Sequence, residues 1–478
     1  MSIENASYEH HALRSLNGNP LIEALRPAMS VKEFADALVF KPEFGEENVL
    51  DDFSRELAVE LIDHTYTPAH QLYVQYTSIL KNILIGYIHR NPISVEAKRE
   101  QHRVASEEGY KLPAHKNLSK CISVIGLSGA GKTLANRRCL SLIPQVIRHS
   151  SYGGEHLCLD QVVYLEFQAP TTKTQKGFIL NFFSAIDELL GTAYYEEWNK
   201  KSISVAVLIQ AAKKVAFNHF IGIVFVDEIQ RCANESSKMD YATLEFIDGF
   251  FNDVGIPMIV AGTYKVMPLY RTTMSTTRRL TSGRVYLMDG IDNDLYQEDE
   301  GRIKQLNSIS FWSIFVDSFY HPNLLTESFE FDIEFKEHLH YLTFGLPALV
   351  ARIMRLAYEE AIKSGEEIIT SDLLSDIYND QFKLLHPAIE HLRNGQYGGY
   401  EDTLPSDALN IDKSQLIDGF IGRNIDFVRK RTVRAERGDG LVVEVEKQTQ
   451  NFIPTTDLRN LSGLSRTDLF KRISDKKC

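Results

Sequence analysis

Two short stretches carry residue types that phosphate chemistry requires. The first, residues 126–133, has the sequence GLSGAGKT and matches the pattern GxxxxGK[ST]. Its glycines let backbone amides converge on phosphate oxygens, and a helix that begins after them adds its positive end. We expect Lys132 to reach the β- and γ-phosphates and the Thr133 hydroxyl to bind Mg²⁺. The residues predicted to contact ATP here are Gly126, Ser128, Gly129, Ala130, Gly131, Lys132, Thr133 and Leu134.

The second stretch is an apolar run over residues 221–226 that ends in Asp227 and Glu228. Two carboxylates at the end of a buried strand are costly unless a cation meets them. We therefore expect Asp227 to hold the magnesium shell and Glu228 to orient the attacking water. A strand end capped by solvated acids is the alternative, and the phosphate loop upstream makes it the weaker one.

Apolar strands alternate with amphipathic helices around these motifs, which is typical of βαβ units and a parallel sheet. The predicted strands are Cys121–Ile125, Val162–Phe167, Ile221–Val226, Pro257–Ala261 and Val285–Met288. The predicted helices between them cover 132–143, 176–190, 203–219 and 241–253. The fold class is therefore α/β, with a five-stranded parallel sheet of the P-loop kind.

The chain divides, on these patterns, into four segments. Residues 1–110 form a helical adaptor region with a helix at 78–89, 111–300 the α/β core, 301–395 a helical lid, and 396–478 an extended partner-binding tail. The lid helices are predicted at 311–319, 330–342, 347–363 and 371–384. The tail contains a basic run, Arg429, Lys430, Arg431, Arg434 and Arg437.

Composition indicates a globular protein. The 478 residues include 44% hydrophobic and 24% charged side chains, and the net charge is −12. No apolar run approaches the ~18 residues that span a membrane, so we expect a cytoplasmic protein with no membrane partner. The scattered cysteines argue against a disulfide framework or zinc site and favour reduced, mostly buried thiols: Cys121, Cys139, Cys158, Cys232 and Cys478.

A helical lid after an α/β core points to AAA+ chemistry, in which a neighbouring subunit completes the site. Thr263 lies where a sensor of the γ-phosphate is expected, although many AAA+ proteins have Asn there. Arg278 and Arg279 precede the fifth strand, where an arginine finger would project into the next subunit. Arg352 is a weaker candidate for a phosphate contact from the lid. For the two arginines before the strand, a solvated pair on a helix end is the alternative.

The sequence resembles TnsC, the AAA+ regulator of heteromeric bacterial DNA transposons, and more distantly the TniB proteins. The match runs in order from residue 19 to about 395, and the tail resembles the family only at 455–459. Its segments are NPLIEAL (19–25), the phosphate loop, PQVIRH (144–149), VVYL (162–165), LNFFSAID (180–187), VDEIQ (226–230), GIPMIVAGT (255–263), Arg278-Arg279 and HPAIEHLRNG (386–395).

This resemblance implies a target-selection switch that forms a ring or helical filament of identical subunits on duplex DNA with ATP. It further implies a target selector of the TnsD or TniQ type and transposase subunits of the TnsA and TnsB type, which the tail engages. Backbone contacts to DNA are then expected in a polar loop and before the next helix, at Lys173, Thr174, Lys176, Lys200 and Lys201. Ordinary solvated lysines are the alternative for any one of them. Repetition along a polymer would let an acidic monomer bind DNA.

Two other functions share these motifs. A replication-initiator-like AAA+ protein would usually carry a winged-helix module after the lid, which the tail does not resemble. A nucleotide-gated scaffold with little turnover would use Asp227 and Glu228 chiefly to stabilise the ATP state. We expect His149 and His386 to be structural residues.

Overall fold

The computed structural model describes residues 3–106, 118–172, 174–232, 246–247, 249, 253–270, 274–299, 302–305, 310–400, 431–436 and 442–447. The chain forms two compact units. The first contains Met1–Ala37 and Gln71–Asp289, and the second contains Leu38–His70 and Gly290–Cys478. The region expected to be one adaptor, residues 1–110, is therefore divided between the two units.

The strands of the described chain are β1 (Ile3–Asn5), β2 (Cys121–Gly126), β3 (Val146–Tyr152), β4 (Glu155–Val162), β5 (Tyr164–Gln168), β6 (Ile223–Asp227), β7 (Met258–Gly262), β8 (Val285–Met288), β9 (Tyr296–Asp299), β10 (Arg302–Gln305), β11 (Arg431–Glu436) and β12 (Val442–Lys447).

The helices are α1 (Pro20–Glu23), α2 (Val31–Leu38), α3 (Asp52–Val59), α4 (His70–Tyr87), α5 (Val95–Ser106), α6 (Lys132–Leu140), α7 (Gln175–Leu190), α8 (Tyr194–Trp198), α9 (Val205–Asn218), α10 (Met267–Tyr270), α11 (Met274–Leu280), α12 (Phe311–Asp317), α13 (Ile333–Thr343), α14 (Pro347–Ser364), α15 (Ser371–Gln381), α16 (His386–Arg393) and α17 (Tyr397–Tyr400). In the part of the chain that the structure describes, no helix is both long and apolar enough to cross a membrane.

A five-stranded parallel sheet forms the centre of the first unit. Its strand order is β5-β6-β7-β2-β8, and every neighbouring pair is parallel. Strands β2, β6 and β7 are buried along their whole length, as their near-continuous apolar sequences require when helices cover both faces. The predicted five-stranded α/β fold is confirmed, and the phosphate loop leaves the sheet between β7 and β8. Most of the helix predicted at 241–253 lies outside the described residues.

A second, three-stranded sheet in this unit was not predicted. Strands β3 and β4 form an antiparallel hairpin, and β1 pairs in parallel with β3. Gly153 and Gly154 make the turn with φ of 60° and 86°, a backbone that glycine adopts without steric cost. Both strands of the hairpin contain exposed and partly buried residues and many polar side chains, so their sequences lack a continuous apolar run.

The helix α4 belongs to the first unit because its apolar and amide side chains are buried there. Gln75 donates to Asn136 on α6 at 2.7 Å, and the Tyr87 hydroxyl donates to the carbonyl oxygen of Phe220 at 2.7 Å. Arg90, just after the helix, is 3% exposed and donates to backbone carbonyls of Gly86 and Ile221. Burial lowers its pKa to about 10. The predicted helix at 78–89 is therefore longer and starts earlier.

The helices predicted at 311–319, 330–342, 347–363 and 371–384 correspond to α12, α13, α14 and α15 of the second unit. Its core includes Trp312, Leu339 and Tyr358, and also Val59 and Ile62 from the N-terminal segment. Arg55 on α3 is buried there and forms a bidentate ion pair with Glu367. These buried contacts explain why residues 38–70 belong with the lid.

The remaining predictions concern single residues and the tail. His149 is buried between Tyr8 and Gln161, and His386 stacks on Tyr378 and hydrogen-bonds its carbonyl oxygen. Cys121, Cys139 and Cys232 are buried free thiols, Cys158 is exposed, and Cys478 lies outside the described residues. In the tail, expected to be extended, β11 and β12 form an antiparallel hairpin that includes Arg431 and Arg434. Arg429, Lys430, Arg437 and residues 455–459 are outside the described part.

Candidate nucleotide and DNA sites

The phosphate loop is held against strand β8 at its first residue. A Cβ atom on Gly126 would lie 1.7 Å from the carbonyl oxygen of Met288, so no other residue fits without moving the strand. The same carbonyl accepts a hydrogen bond from the Leu127 amide at 3.1 Å. The first glycine of the motif therefore fixes where the loop leaves the sheet.

The other two glycines turn the loop back into helix α6. Gly129 and Gly131 have φ of 81° and 85°, and Gly131 is the residue that precedes the helix. The first amides of a helix have no partners within it, and the helix dipole is positive there. The backbone N–H groups of Lys132, Thr133 and Leu134, at the start of α6, can therefore donate hydrogen bonds to phosphate oxygens.

Lys132 is 9% exposed and its ammonium group lies over the loop. Nζ donates to the carbonyl oxygens of Gly126 at 3.1 Å and Leu127 at 2.7 Å. A bound phosphate would compete with these two carbonyls for the ammonium group and would form the stronger, charge-assisted bonds.

The two predicted magnesium ligands lie in direct contact. The Thr133 hydroxyl donates to Oδ2 of Asp227 at 2.7 Å, and Asp227 is 3% exposed at the end of β6. A hydroxyl and one carboxylate are oxygen donors of the kind Mg²⁺ takes when substrate phosphates and water complete its shell. No cluster of three or more His, Cys, Asp or Glu side chains that could hold a metal occurs among the described residues. The donor set therefore fits a magnesium ion that arrives with a nucleotide.

Glu228 has an unusual backbone. Its φ is 56°, in the left-handed region, which costs a non-glycine residue about 1–2 kcal/mol. This conformation directs the chain from β6 into a 3₁₀ turn over Ile229–Cys232. In that turn Gln230 donates to Oε2 of Glu228 at 2.7 Å, and Arg231 lies 3.8 Å from the same oxygen.

Gln230 joins two predicted site residues, and the sequence had predicted no role for it. Its amide nitrogen donates to Glu228, and its amide oxygen accepts from the backbone N–H of Thr263 at 3.2 Å. Gly262 makes room for this link, since a Cβ there would lie 2.7 Å from Oε1 of Gln230. The signals for Gln230 in the sequence are its position two residues after the second carboxylate and its place at the end of the VDEIQ segment.

Thr263 carries a polar atom that is available for a ligand. Its hydroxyl oxygen is buried at the end of β7 and has no hydrogen-bond partner within the described chain. Buried hydroxyls are normally paired, so this one is expected to bind a group from outside the protein. A phosphate oxygen or the attacking water fits its position after Gly262.

Arg231 extends the network toward a neighbouring strand. Its Nη1 donates to Oε1 of Gln168, the last residue of β5, at 2.9 Å. The ends of β5, β6 and β7 are thus connected through Gln168, Arg231, Glu228, Gln230 and Thr263.

The three candidate arginines lie on helices α11 and α14. Arg278 and Arg279 are exposed in the last turn of α11, just before β8. Arg352 lies in the second unit, where its guanidinium stacks 4.7 Å from the ring centre of Phe382 and donates to the carbonyl oxygen of Gln381. Arg352 thus has partners inside the lid that a phosphate would have to replace.

The two groups predicted to contact DNA converge. The Lys176 ammonium donates to the carbonyl oxygen of Lys200 at 2.9 Å, which joins the first turn of α7 to the loop before α9. Thr174 caps α7 by accepting from the Gly177 amide at 3.1 Å. Lys200 and Lys201 are exposed, and Lys173 lies outside the described residues.

A family model described as an AAA domain matches residues 116–269, which contain the phosphate loop, both carboxylates and Thr263. This part of the chain is therefore a P-loop AAA domain, a class of nucleotide-binding domain. No curated protein matches the sequence.

Several solved structures are similar to the chain at low identity. The Aeropyrum pernix ORC1 protein in complex with DNA is 13% identical, with 82% of this chain and 96% of that chain covered and a TM-score of 0.36. The Aeropyrum pernix ORC2 protein with ADPNP and ADP is 12% identical over 67% and 84%, with a TM-score of 0.33. A Walker-type ATPase of Pyrococcus abyssi is 12% identical over 73% and 93%, with a TM-score of 0.32. These values carry no activity or partner over to this chain.

Proposed function

We propose that this protein is an ATP-hydrolysing, DNA-bound oligomeric regulator of DNA transposition of the TnsC type. The network that joins Glu228, Gln230 and Thr263 is the observation that carries the hydrolytic part. It places a carboxylate and a buried, unpaired hydroxyl at adjacent strand ends beside the loop that cradles phosphate. The resemblance to TnsC, in segments that follow one another from residue 19 to 395, supports the proposed role in transposition.

The residues of this chain divide the work of hydrolysis. Lys132 and the first amides of α6 bind the β- and γ-phosphates and stabilise their charge. Glu228 accepts a hydrogen bond from the attacking water and polarises it, while Thr263 fixes the γ-phosphate or that water. Thr133 and Asp227 would hold Mg²⁺, which neutralises phosphate charge when it is bound. Arg278 or Arg279 of a neighbouring copy would supply further positive charge.

A conservative substitution tests the hydrolytic assignment. Glu228→Gln removes the negative charge that polarises water but keeps the size of the side chain. We expect ATP turnover in the presence of duplex DNA to fall at least about 100-fold, with ATP binding unchanged. Turnover is measured by phosphate release and binding by a fluorescent ATP analogue. Glu196→Gln, an exposed residue on α8, is the matched control.

Two results would overturn this part of the proposal. Full turnover by Glu228→Gln would remove Glu228 from the chemistry. A wild-type protein that binds ATP but releases no phosphate, with or without DNA, would support a nucleotide-gated scaffold instead.

The cations around Lys176 and Lys200 are proposed to contact the DNA backbone. Each lost phosphate contact lowers the salt dependence of binding by about 0.9 in the slope of log K against log salt. We expect Lys176→Glu with Lys201→Glu to weaken duplex binding at every DNA sequence and to reduce that slope by about 2. Fluorescence anisotropy over a salt series measures both effects.

Lys81→Glu, exposed on α4, is the control for a change in net charge. An unchanged slope in the double variant would show that this surface does not contact DNA. Electron microscopy with duplex DNA and a slowly hydrolysed ATP analogue tests assembly, and single, unassembled particles would contradict the oligomeric part. Transposase and TniQ-like reading frames beside the gene would support the role in transposition, and their absence would argue against it.

A further inference from the structure

Helix α3, in the second unit, has an apolar face that no other part of the described chain covers. Its inner side carries the buried Arg55 and Val59. On its outer side Phe53 and Leu57 are 74% and 64% exposed, one helical turn apart. Val49, Leu50 and Leu61, on either side of the helix, are exposed by 75%, 48% and 49%. We call Val49, Leu50, Phe53, Leu57 and Leu61 the α3 face.

Five large apolar side chains in so short a stretch differ from the scattered single ones that are normal on protein surfaces. Val49, Phe53, Leu57 and Leu61 recur every four residues, and a grouping of exposed apolar side chains is typical of surfaces that bind another chain segment. The sequence around it limits what that segment can be.

The α3 face is surrounded by acidic residues. Eight carboxylates occur between residues 43 and 63: Glu43, Glu46, Glu47, Asp51, Asp52, Glu56, Glu60 and Asp63. The only lysine or arginine in that range is Arg55, which is buried against Glu367. One carboxylate oxygen of Glu47 is buried with no hydrogen-bond partner in the described structure. The face therefore fits a segment that is both apolar and basic.

Part of this acidity is already compensated. Glu60 and Asp63 lie 2.9 Å and 3.3 Å from Arg355, and Glu56 lies 3.8 Å from Lys363. Glu46 and Asp52 remain exposed beside the apolar residues, with only a 3.7 Å contact between Asp52 and Arg55. These two carboxylates are the ones that an incoming cation would meet.

The tail contains a strongly basic segment with the required composition. Residues 466–477, RTDLFKRISDKK, carry five lysines and arginines and two aspartates. Leu469, Phe470 and Ile473 have the spacing that places side chains on one side of a helix. The segment lies outside the described residues. From these observations we infer that residues 466–477 dock on the α3 face, with Lys471 and Arg472 against Glu46 and Asp52.

The other basic run of the tail fits less well. Residues 431–436 are paired with β12 as strand β11, so their backbone is committed. The residues just before that strand, 423–430, include Phe427 but carry only three basic side chains, against five in 466–477.

The tether makes even a weak contact effective. Residues 466–477 belong to the same chain as the α3 face, with 65 residues between Tyr400, the end of α17, and Arg466. A segment attached in this way has an effective concentration near the millimolar range. Docking therefore needs only millimolar intrinsic affinity, which suits a contact that a partner of the tail can displace.

A photo-cross-linker placed in the full-length protein tests the occupant directly. Phe53 is replaced by p-benzoylphenylalanine, which keeps an aromatic ring at an exposed position, and cross-linked peptides are identified by mass spectrometry after irradiation. We expect the captured peptide to contain residues 466–477. Capture of another segment, capture of the α3 face of a second copy, or no capture would overturn the proposal.

Charge exchange tests the pairing. In the cross-linking protein, Glu46→Lys with Asp52→Lys should lower the yield at least about threefold, and so should Lys471→Glu with Arg472→Glu. Combining all four changes should restore the yield, because the attraction is rebuilt with opposite signs. Asp372→Lys with Asp376→Lys, exposed on α15 of the same unit, is the matched control and should leave the yield unchanged.

A circular dichroism spectrum like that of wild type shows that each variant is folded. The proposed charge pairing would be contradicted if each double variant lowers the cross-linking yield but the variant with all four changes does not restore it, with every protein folded. An equal loss in the α15 control would mean that net charge, not this contact, sets the yield.

Discussion

At the scale of single residues, Gln230 holds the candidate catalytic carboxylate in place, because it donates to Glu228 and accepts from the Thr263 amide. The Thr133–Asp227 contact follows from a loop and a strand end whose sequences are specific. Gln230 depends on three features that no sequence pattern reveals. These are the left-handed backbone of Glu228, the space at Gly262 and the adjacency of β6 and β7.

Gln230→Ala should separate positioning from binding. The change removes the hydrogen bonds to Glu228 and to the Thr263 amide, so the carboxylate loses a fixed orientation. We expect kcat for ATP to fall roughly tenfold, as when one hydrogen bond to a charged group is lost, with KM nearly unchanged. Steady-state phosphate release measures both constants.

The control for this variant is Gln71→Ala, which alters an exposed residue of α4 outside the site. A higher KM at constant kcat would contradict positioning and assign Gln230 to nucleotide binding. No change in either constant would remove it from the site.

At the scale of elements, the apolar strands were predicted and the polar ones were not. Each core strand is an apolar run because both faces of a parallel sheet are covered. Strands β3 and β4 expose one face and pair locally, so their sequence lacks that run. The double glycine at 153–154 is the signal that predicts the hairpin.

Gly126→Ala tests how closely β2 and β8 must approach. The added Cβ would overlap the Met288 carbonyl oxygen, and backbone cannot move aside as a flexible side chain can. We expect the free energy of unfolding of the first unit to fall by at least about 1–3 kcal/mol. Urea unfolding followed by the fluorescence of Trp198, in that unit, measures the loss, with Trp312 replaced by Phe in every protein compared.

Gly249→Ala, in the same unit, is the matched control, since no other atom would lie within 4 Å of the new Cβ. An equal stability of Gly126→Ala and the wild type would show that β8 can shift without cost and would contradict the stated packing.

At the scale of the whole molecule, the lid was predicted as a set of helices, but its use of residues 38–70 was not. The burial of Arg55, Val59 and Ile62 decides that assignment, and all three depend on contacts with residues about 300 positions away. Local periodicity does not report such distant partners.

The second unit also contains a histidine that makes its stability depend on pH. Burial lowers the pKa of His321 to about 3, with the charge of Lys41 adding to the effect, and Asp317 and Lys336 lie in the same group of charges. The unfolded chain takes up a proton near pH 6.5, where the folded unit does not. Stability is thus full above about pH 6.5 and falls as the pH drops toward 3.

His321→Phe should remove this dependence. Between pH 7 and pH 5 we expect the wild type to lose up to about 2 kcal/mol more stability than the variant does. Urea unfolding followed by the fluorescence of the buried Trp312, with Trp198 replaced by Phe, measures the difference. The exposed His64→Phe is the control, and equal pH profiles for wild type and His321→Phe would contradict the prediction.

The division of the N-terminal region between two units has a consequence for biosynthesis. Residues 38–70 leave the ribosome early, but their packing partners in α14 and the following loop emerge about 300 residues later. At the usual translation rate of 5–20 residues per second, Val59 and Ile62 would lack their packing partners for roughly 15–60 s. We therefore expect ribosome-associated chaperones to bind the nascent chain while these apolar side chains are exposed.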